Sequence, residues 1–387
     1  MSMRTETDGD KSIIYLVDRI DSVNAEEVKK ELSDYVDEHK GNEIILDADE
    51  LKYISSAGLR VLMFINKKAG SSLTVRNVSM EVYEILDMTK FTSFLNVKKK
   101  MRSISIDGCE VIGKGAVGTV YRIDDDTIVK VYDNHCNLEL IENEQNMAKQ
   151  AFLMGIPTAI SFDIVKVGDR YGSVFELLRA KTYNDLIIEH PEQIEENVRK
   201  YAEFIRQVHS IEVEKGQLPE AKDKFIRYLD DIKQFIPDDI SIKLKEFFDT
   251  MPEELHVVHG DIQMKNVMLS GDEPLLIDMD TLAVGDPIFD LMGLYVTYVL
   301  FNEDEPDNTE KFLGISSDTS DYIWENTFKC YYEGADKAET EEAMRKIIIT
   351  GSVRFLHIIC GMNVGREDLK QIRIEHTISH LREQFAQ

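Results

Sequence analysis

The stretch VVHGDIQMKNVML at 257–269 constrains this chain more than any other. Apolar, β-prone residues stand at both of its ends, which predicts a buried strand that runs into a turn and out again. Its middle nevertheless carries His259, Asp261 and Asn266. Groups of that polarity are buried only where hydrogen bonds or a metal ion satisfy them. Downstream, the apolar run LLIDMD brings in a further carboxylate, Asp278. Two carboxylates and an amide on β-like flanks form a hard oxygen donor set suited to a divalent cation, and such flanks hold donors in place.

Three features upstream fit the same chemistry. In VIGKGAVGTVYRI, Gly113, Gly115 and Gly118 have the spacing G-x-G-x-x-G. Strand-like residues lie on both sides, so the motif reads as a hairpin over nucleotide phosphates rather than a strand-to-helix dinucleotide turn. Lys130, in TIVKVY, sits among apolar β-branched neighbours. It reads either as an edge-strand lysine reaching for solvent or as a lysine that holds the α- and β-phosphates. A buried ammonium requires a carboxylate. The following helix, within LELIENEQNMAKQAFLMGIP, offers Glu144, with Glu142 as the substitute. The run His259-Gly260-Asp261 through Asn266 gives H-G-D-x-x-x-x-N, the spacing of a kinase catalytic loop, in which the aspartate takes the proton of the acceptor hydroxyl and the asparagine binds magnesium.

Gly260 stands where protein kinases carry arginine, GDPIFDL follows at 285–291, and GIP lies at 155–157. With these residues the region from about 104 to 300 resembles the aminoglycoside phosphotransferase and choline kinase-like family, small-molecule kinases with the protein-kinase fold. The resemblance implies Asp261 as catalytic base, Asn266 and Asp278 as Mg2+ ligands, and Lys130 with Glu144 on the phosphates of ATP or GTP. It implies Asp290 as a buried brace of the catalytic loop and His259 as an orienting core histidine. Two positions depart from protein kinases: Asp280 replaces the glycine of the metal-binding triplet, and Gln263 replaces the catalytic-loop lysine. Lys265, nearby, is not expected to take that role.

The first hundred residues alternate short β-rich runs (12–17, 43–46, 73–76, 94–97) with helical patterns (25–38, 56–69, 80–87). That predicts a small α/β sandwich. Through RIDSVNAEEVKKEL and DADELKYISSAGLRVLM the segment resembles the STAS fold of anti-sigma factor antagonists. In that family a serine at a helix N-terminus is phosphorylated by a partner kinase; Ser56 is the match, while Ser55 occupies the usual aspartate position. Phosphate there would meet free backbone N–H groups at the positive helix end, and a plain helix cap by Ser55 or Ser56 is the competing reading. Leu59, Leu62 and Met63 are expected to face the sheet.

Charge marks the boundary between the two regions. The chain of 387 residues carries a formal net charge of −27, and residues 1–100 hold only 15 Lys+Arg and 18 Asp+Glu of it. The break falls near VKKKMRS at 97–103, giving an expected STAS-like domain at 1–102, a β-rich nucleotide-binding lobe at 103–179 and a helical lobe at 180–387. The fold expected is thus an α/β STAS-like sandwich followed by an α+β bilobal, protein-kinase-like domain. Such acidity argues against nucleic-acid and anionic-membrane partners. It favours a cationic acceptor, or reflects an acidic solvated surface. The longest apolar stretch, around Ile288–Phe301, is broken by Asp290, Gly293 and Thr297 and is too short to span a bilayer, so a cytoplasmic protein is expected. Cys109, Cys136, Cys330 and Cys360 have neither disulfide-framework nor metal-ligand spacing. The function expected is phosphoryl transfer to a small-molecule hydroxyl. A serine kinase acting on Ser56 or on a partner's STAS module, and a nucleotide-binding scaffold that signals through the STAS surface, are the alternatives.

Overall fold

The computed structural model describes residues 3–70, 73–115 and 117–386. The chain divides into two compact units, Met1–Ser105 with Ile164–Arg170, and Ile106–Asp163 with Tyr171–Gln387.

The first unit runs β1 (Thr5–Asp8), β2 (Lys11–Tyr15), β3 (Arg19–Ile20), α1 (Ala25–Glu38), β4 (Glu43–Asp47), β5 (Tyr53–Ile54), α2 (Ser56–Ala69), β6 (Leu73–Val78), α3 (Met80–Met88) and β7 (Asn96–Lys99). Its sheet has the order β1-β2-β4-β6-β7, with β1 antiparallel to β2 and the remaining pairs parallel. Parallel neighbours need a crossover, and α1, α2 and α3 supply it. The central strand β4 is buried from Ile44 through Asp47, as expected for a parallel strand covered on both faces. The α1 helix lays Ala25, Val28, Leu32 and Val36 along one stripe against the sheet. Strand β1 was not expected because its four residues, TETD, are all exposed and leave no alternating signal.

Helix α2 corrects one detail of the sequence reading. Leu59, Leu62 and Ile65 are buried, whereas Met63 is 38 % exposed. The buried stripe runs through Gly58, Val61, Leu62 and Ile65 with Leu59 at its edge, and at about 100° per residue Met63 falls about 40° beyond that edge. The helix cap is Ser55, whose Oγ accepts from the N–H groups of Ala57 at 3.2 Å and Gly58 at 3.5 Å. Ser56 is the first helical residue and is exposed. Residues 164–170 join this unit through Lys166, whose carbonyl accepts from Ile104 N–H at 2.9 Å and whose N–H donates to the Arg102 carbonyl at 2.8 Å.

The second unit opens with β8 (Glu110–Lys114), β9 (Gly118–Arg122), β10 (Thr127–Tyr132) and α4 (Leu138–Leu153), and β12 (Arg170–Glu176) follows, whereas β11 (Asp163–Val167) lies almost wholly in the 164–170 segment of the first unit. The sheet order through the second unit is β12-β10-β9-β8. Next come β13 (Lys181–Thr182), α5 (Tyr183–Glu189), α6 (Ile194–His209), α7 (Ala221–Ile232), α8 (Asp238–Thr250), β14 (Val257–Val258), β15 (Val267–Ser270), β16 (Glu273–Leu276), β17 (Ala283–Val284) and α9 (Ile288–Tyr295). Helices Ser317–Tyr331, Lys337–Leu356 and Lys370–Ala386 complete it. Two small ladders, β14 with β17 and β15 with β13 and β16, grip the ends of the polar stretch at 259–266. Among the described residues, no helix is long and apolar enough to cross a membrane.

Candidate active site

Lys130 and Tyr132 lie two residues apart on β10 and therefore project from one face of the sheet, toward α4. The Lys130 ammonium lies 3.0 Å from Glu144 Oε1 and 2.5 Å from Asp278 Oδ1. Glu142 is two positions back on α4, a rotation of about 200° that points it elsewhere. Burial opposes the Lys130 charge, yet Asp278 and Glu144 prevail and hold its pKa above the ordinary lysine range. The Tyr132 hydroxyl donates to Glu144 Oε2 at 2.9 Å and lies 3.1 Å from Ser173 Oγ. Both oxygens of Glu144 are thus engaged, which fixes the carboxylate. Burial, with Glu144 adding to it, pushes the Tyr132 phenol above its usual pKa.

The glycine-rich turn joins β8 to β9, and Gly115 N–H donates to the Gly118 carbonyl at 2.9 Å. A Cβ at Gly118 would stand 2.4 Å from the Val131 carbonyl oxygen, so a side chain is excluded there. At Gly113 a Cβ would make only ordinary contact, 3.7 Å from Val120.

Asp261 and Asn266 are tied together. Asn266 Nδ2 donates to Asp261 Oδ2 at 2.9 Å and to the Asp261 carbonyl at 2.8 Å. Gln263 Nε2 donates to both Asp261 oxygens at 3.2 Å, while its own Oε1 is buried without a partner among the described residues. His259 is fully buried; its Nε2 donates to the Ile277 carbonyl at 2.9 Å and its Nδ1 accepts from the Asp261 N–H at 3.3 Å. The ring therefore ties the start of the loop to the strand that leads into Asp278.

Gly260 has φ +82°, and a Cβ there would stand 2.6 Å from the Thr281 carbonyl oxygen. Both facts require glycine where protein kinases place arginine. Beneath it, fully buried Asp290 accepts from His259 N–H at 2.8 Å, from Gly260 N–H and from His209 Nε2 at 2.9 Å. Tyr201 donates to the Ile262 carbonyl, and the Tyr298 oxygen accepts from Met264 N–H at 3.4 Å. Lys265 turns away and donates to the Phe312 carbonyl at 2.6 Å.

Asp278 has φ +58°, a left-handed conformation that is uncommon outside glycine and concentrates at functional positions. Beside it, burial raises the Asp280 carboxyl above its ordinary value, and Glu144 and Asp278 raise it further. Acid charge thus collects around one ammonium. Asp278, Asp280 and the Asn266 carboxamide each carry hard oxygen donors of the kind a divalent cation takes.

Tyr132, His209, Tyr201 and Tyr298 escaped the sequence reading. The spacing of Tyr132 from Lys130, one full strand period, is a signal that could have found it. His209 and the two tyrosines on distant helices leave no local trace. Ser56 belongs to the first unit.

A sheet with a lysine facing a helix glutamate, followed by a helical region with a braced aspartate–asparagine loop, defines a kinase-like phosphotransferase. The model of the phosphotransferase enzyme family matches residues 108–312, over half of the chain, and the STAS domain model matches residues 2–104. The chain belongs to the phosphotransferase enzyme family and carries an N-terminal STAS domain. BtrV of Bordetella bronchiseptica, described among the anti-sigma factor antagonists, is 33 % identical over 81 residues, 20 % of this chain and 69 % of BtrV. Similar solved structures include an ADP-bound aminoglycoside phosphotransferase, APH(2'')-Ib, at 16 % identity and TM-score 0.48, covering 79 % of this chain and 99 % of that one. A choline/ethanolamine kinase family protein of Mesorhizobium loti has 15 % identity and TM-score 0.46, covering 72 % and 88 %.

Proposed function

We propose that this chain transfers the γ-phosphoryl group of Mg·ATP, or Mg·GTP, to a hydroxyl of a small molecule, and that the STAS domain serves regulation or docking. The observation that carries the reading is the pairing of Lys130 with both Glu144 and Asp278, in the same unit as an aspartate held by the Asn266 and Gln263 amides. Lys130 holds the α- and β-phosphates, and Glu144, itself fixed by Tyr132, keeps the ammonium in place. Amide donors orient the Asp261 carboxylate, which takes the proton of the acceptor hydroxyl. The acceptor oxygen bonds to the γ-phosphorus as that phosphorus loses its bond to the β,γ-bridging oxygen, and the nucleoside diphosphate leaves. Asn266 and Asp278 would hold Mg2+, which when bound neutralises phosphate charge.

The exposed hydroxyl of Ser56, at the first position of α2, supports a second reading in which a serine of a STAS module is the acceptor. One experiment separates the two. The full chain is incubated with Mg·ATP, with and without a panel of hydroxylated small molecules; released ADP is measured and phosphate is mapped by mass spectrometry. Acceptor-stimulated ADP release that Asp261→Asn lowers by about 10²–10⁴ is expected, the usual contribution of a positioned base. Full turnover in Asp261→Asn would overturn the assignment of the base. Phosphate on Ser56 that vanishes in the same variant would favour the second reading.

A further inference from the structure

A small cleft, partly open to solvent, lies beside the loop that carries Asp261. It is lined by Lys224, Phe225 and Tyr228 of α7, by Gly260 and Thr281, by Phe289 and Met292 of α9, and by Arg354. None of its lining comes from β8, β9, β10 or α4, the elements on the nucleotide side. It therefore lies on the acceptor side of the loop.

The charged residues that line this cavity, Lys224 and Arg354, are both cations, in a chain whose net charge is −27. Arg354 spends one donor on the Tyr228 hydroxyl at 2.9 Å and stacks over that ring with its carbon 5.4 Å from the centroid. Lys224 is half-buried and closes no hydrogen bond or ion pair among the described residues. Burial, then Arg354, push the Lys224 pKa below the ordinary lysine range, while Asp280 and Asp261 pull it back. An ammonium kept half out of water with a guanidinium beside it calls for an anionic partner. Phe225, Tyr228 and Phe289 pack with centroids 5.3 Å and 4.8 Å apart and give the rest of the wall an apolar face.

We infer that the hydroxyl acceptor carries an anionic group, a carboxylate or a phosphate ester, which docks on Lys224 and Arg354 in this cavity while the hydroxyl turns to Asp261. This rests on the phosphotransferase reading above and reverses the cationic acceptor that the chain's acidity favours. Guanidinium and ammonium together supply a fork and a point charge for one anion, and the aromatic wall takes the carbon skeleton.

Pyridoxal 5′-phosphate tests the inference, since its aldehyde marks lysines with lowered pKa and its phosphate supplies the anion. The full chain is exposed to it or to pyridoxal, reduced with borohydride and mapped by mass spectrometry, with and without Mg·ATP. Lys224 is expected to react at least tenfold faster with the phosphorylated aldehyde; Arg354→Met should remove the preference and Arg354→Lys should keep part of it. Protection of Lys224 by inorganic phosphate but not benzoate assigns a phosphate ester, and the reverse assigns a carboxylate. Equal rates with the two aldehydes, protection by neither anion, or protection by the aminoglycoside neamine would overturn the inference. Lys130 reports separately on the underlying function: protection of Lys130 by Mg·ATP alongside an indifferent Lys224 sinks the inference alone, and an unprotected Lys130 sinks the nucleotide reading itself.

Discussion

Asp47 in the first unit and Asp290 in the second are both buried carboxylates, 3 % and 0 % exposed, yet they organise different things. Asp47 ends β4 and accepts from Arg76 Nε at 2.8 Å, Asn77 Nδ2 at 3.0 Å and Asp49 N–H at 3.1 Å. Its partners are mainly side chains of β6, and the Arg76 side chain is 35 % exposed, within reach of water. Asp290 accepts instead from two consecutive backbone N–H groups of the loop that carries Asp261, and from His209. At full burial, bulk water does not compete for these donors. A carboxylate bonded to side chains joins strand ends, whereas one bonded to loop backbone determines where a reactive residue stands.

The largest effect is expected of Asp290→Ala. It strands two buried N–H groups and the His209 donor, so the second unit should lose about 3–5 kcal/mol, the usual cost of removing one partner of a buried charged network. Phosphoryl transfer per folded molecule should fall with it. Hydrogen exchange resolves each unit separately, which a single melting curve of a two-unit chain does not. Unchanged turnover per folded molecule would erase the distinction between the two aspartates.

Next in size is Asp47→Asn, which keeps an acceptor but removes the charge facing Arg76. A loss of about 1–2 kcal/mol confined to the first unit is expected, with turnover per folded molecule retained. Exchange protection that drops equally in the second unit would show that Asp47 does more than join β4 to β6.

Helix α2 gives a smaller test. Ser55→Ala should cost about 1 kcal/mol, the usual value of an N-cap. Ser56→Ala, at an exposed position, should stay within about 0.5 kcal/mol. The opposite order, read by exchange along α2, would return the capping role to Ser56.

The smallest effect belongs to an ion pair outside both networks, His380 with Glu303 at 3.0 Å. The Glu303 hydrogen bond holds the His380 pKa above its ordinary value, against the opposing effect of burial. Its stabilisation is therefore complete below the unfolded value near 6.5 and is lost as pH rises through the higher folded value. His380→Gln should flatten that part of the stability profile by less than about 1 kcal/mol, as for partly exposed pairs. An unaltered profile in the variant would assign the slope to another group.

Local pattern made much of this molecule legible. The stripe of Val28, Leu32 and Val36, the buried run of β4 and the β-prone flanks of His259–Asn266 are properties of neighbouring residues, so the alternating sandwich and the sheet-then-helix order follow from sequence. Fixed spacing did the same for the closeness of Asp261 and Asn266, because a loop between two short ladders leaves few ways to arrange them. Tertiary structure decided the rest. It turned Glu144 rather than Glu142 to Lys130, set Tyr132 on the second carboxylate oxygen, brought His209 from the end of α6 to Asp290, and gathered Lys224 and Arg354 from helices far apart in the chain. The physical reason is that these contacts depend on helix rotation and crossing, which the packing of distant apolar faces fixes and no local run of residues encodes.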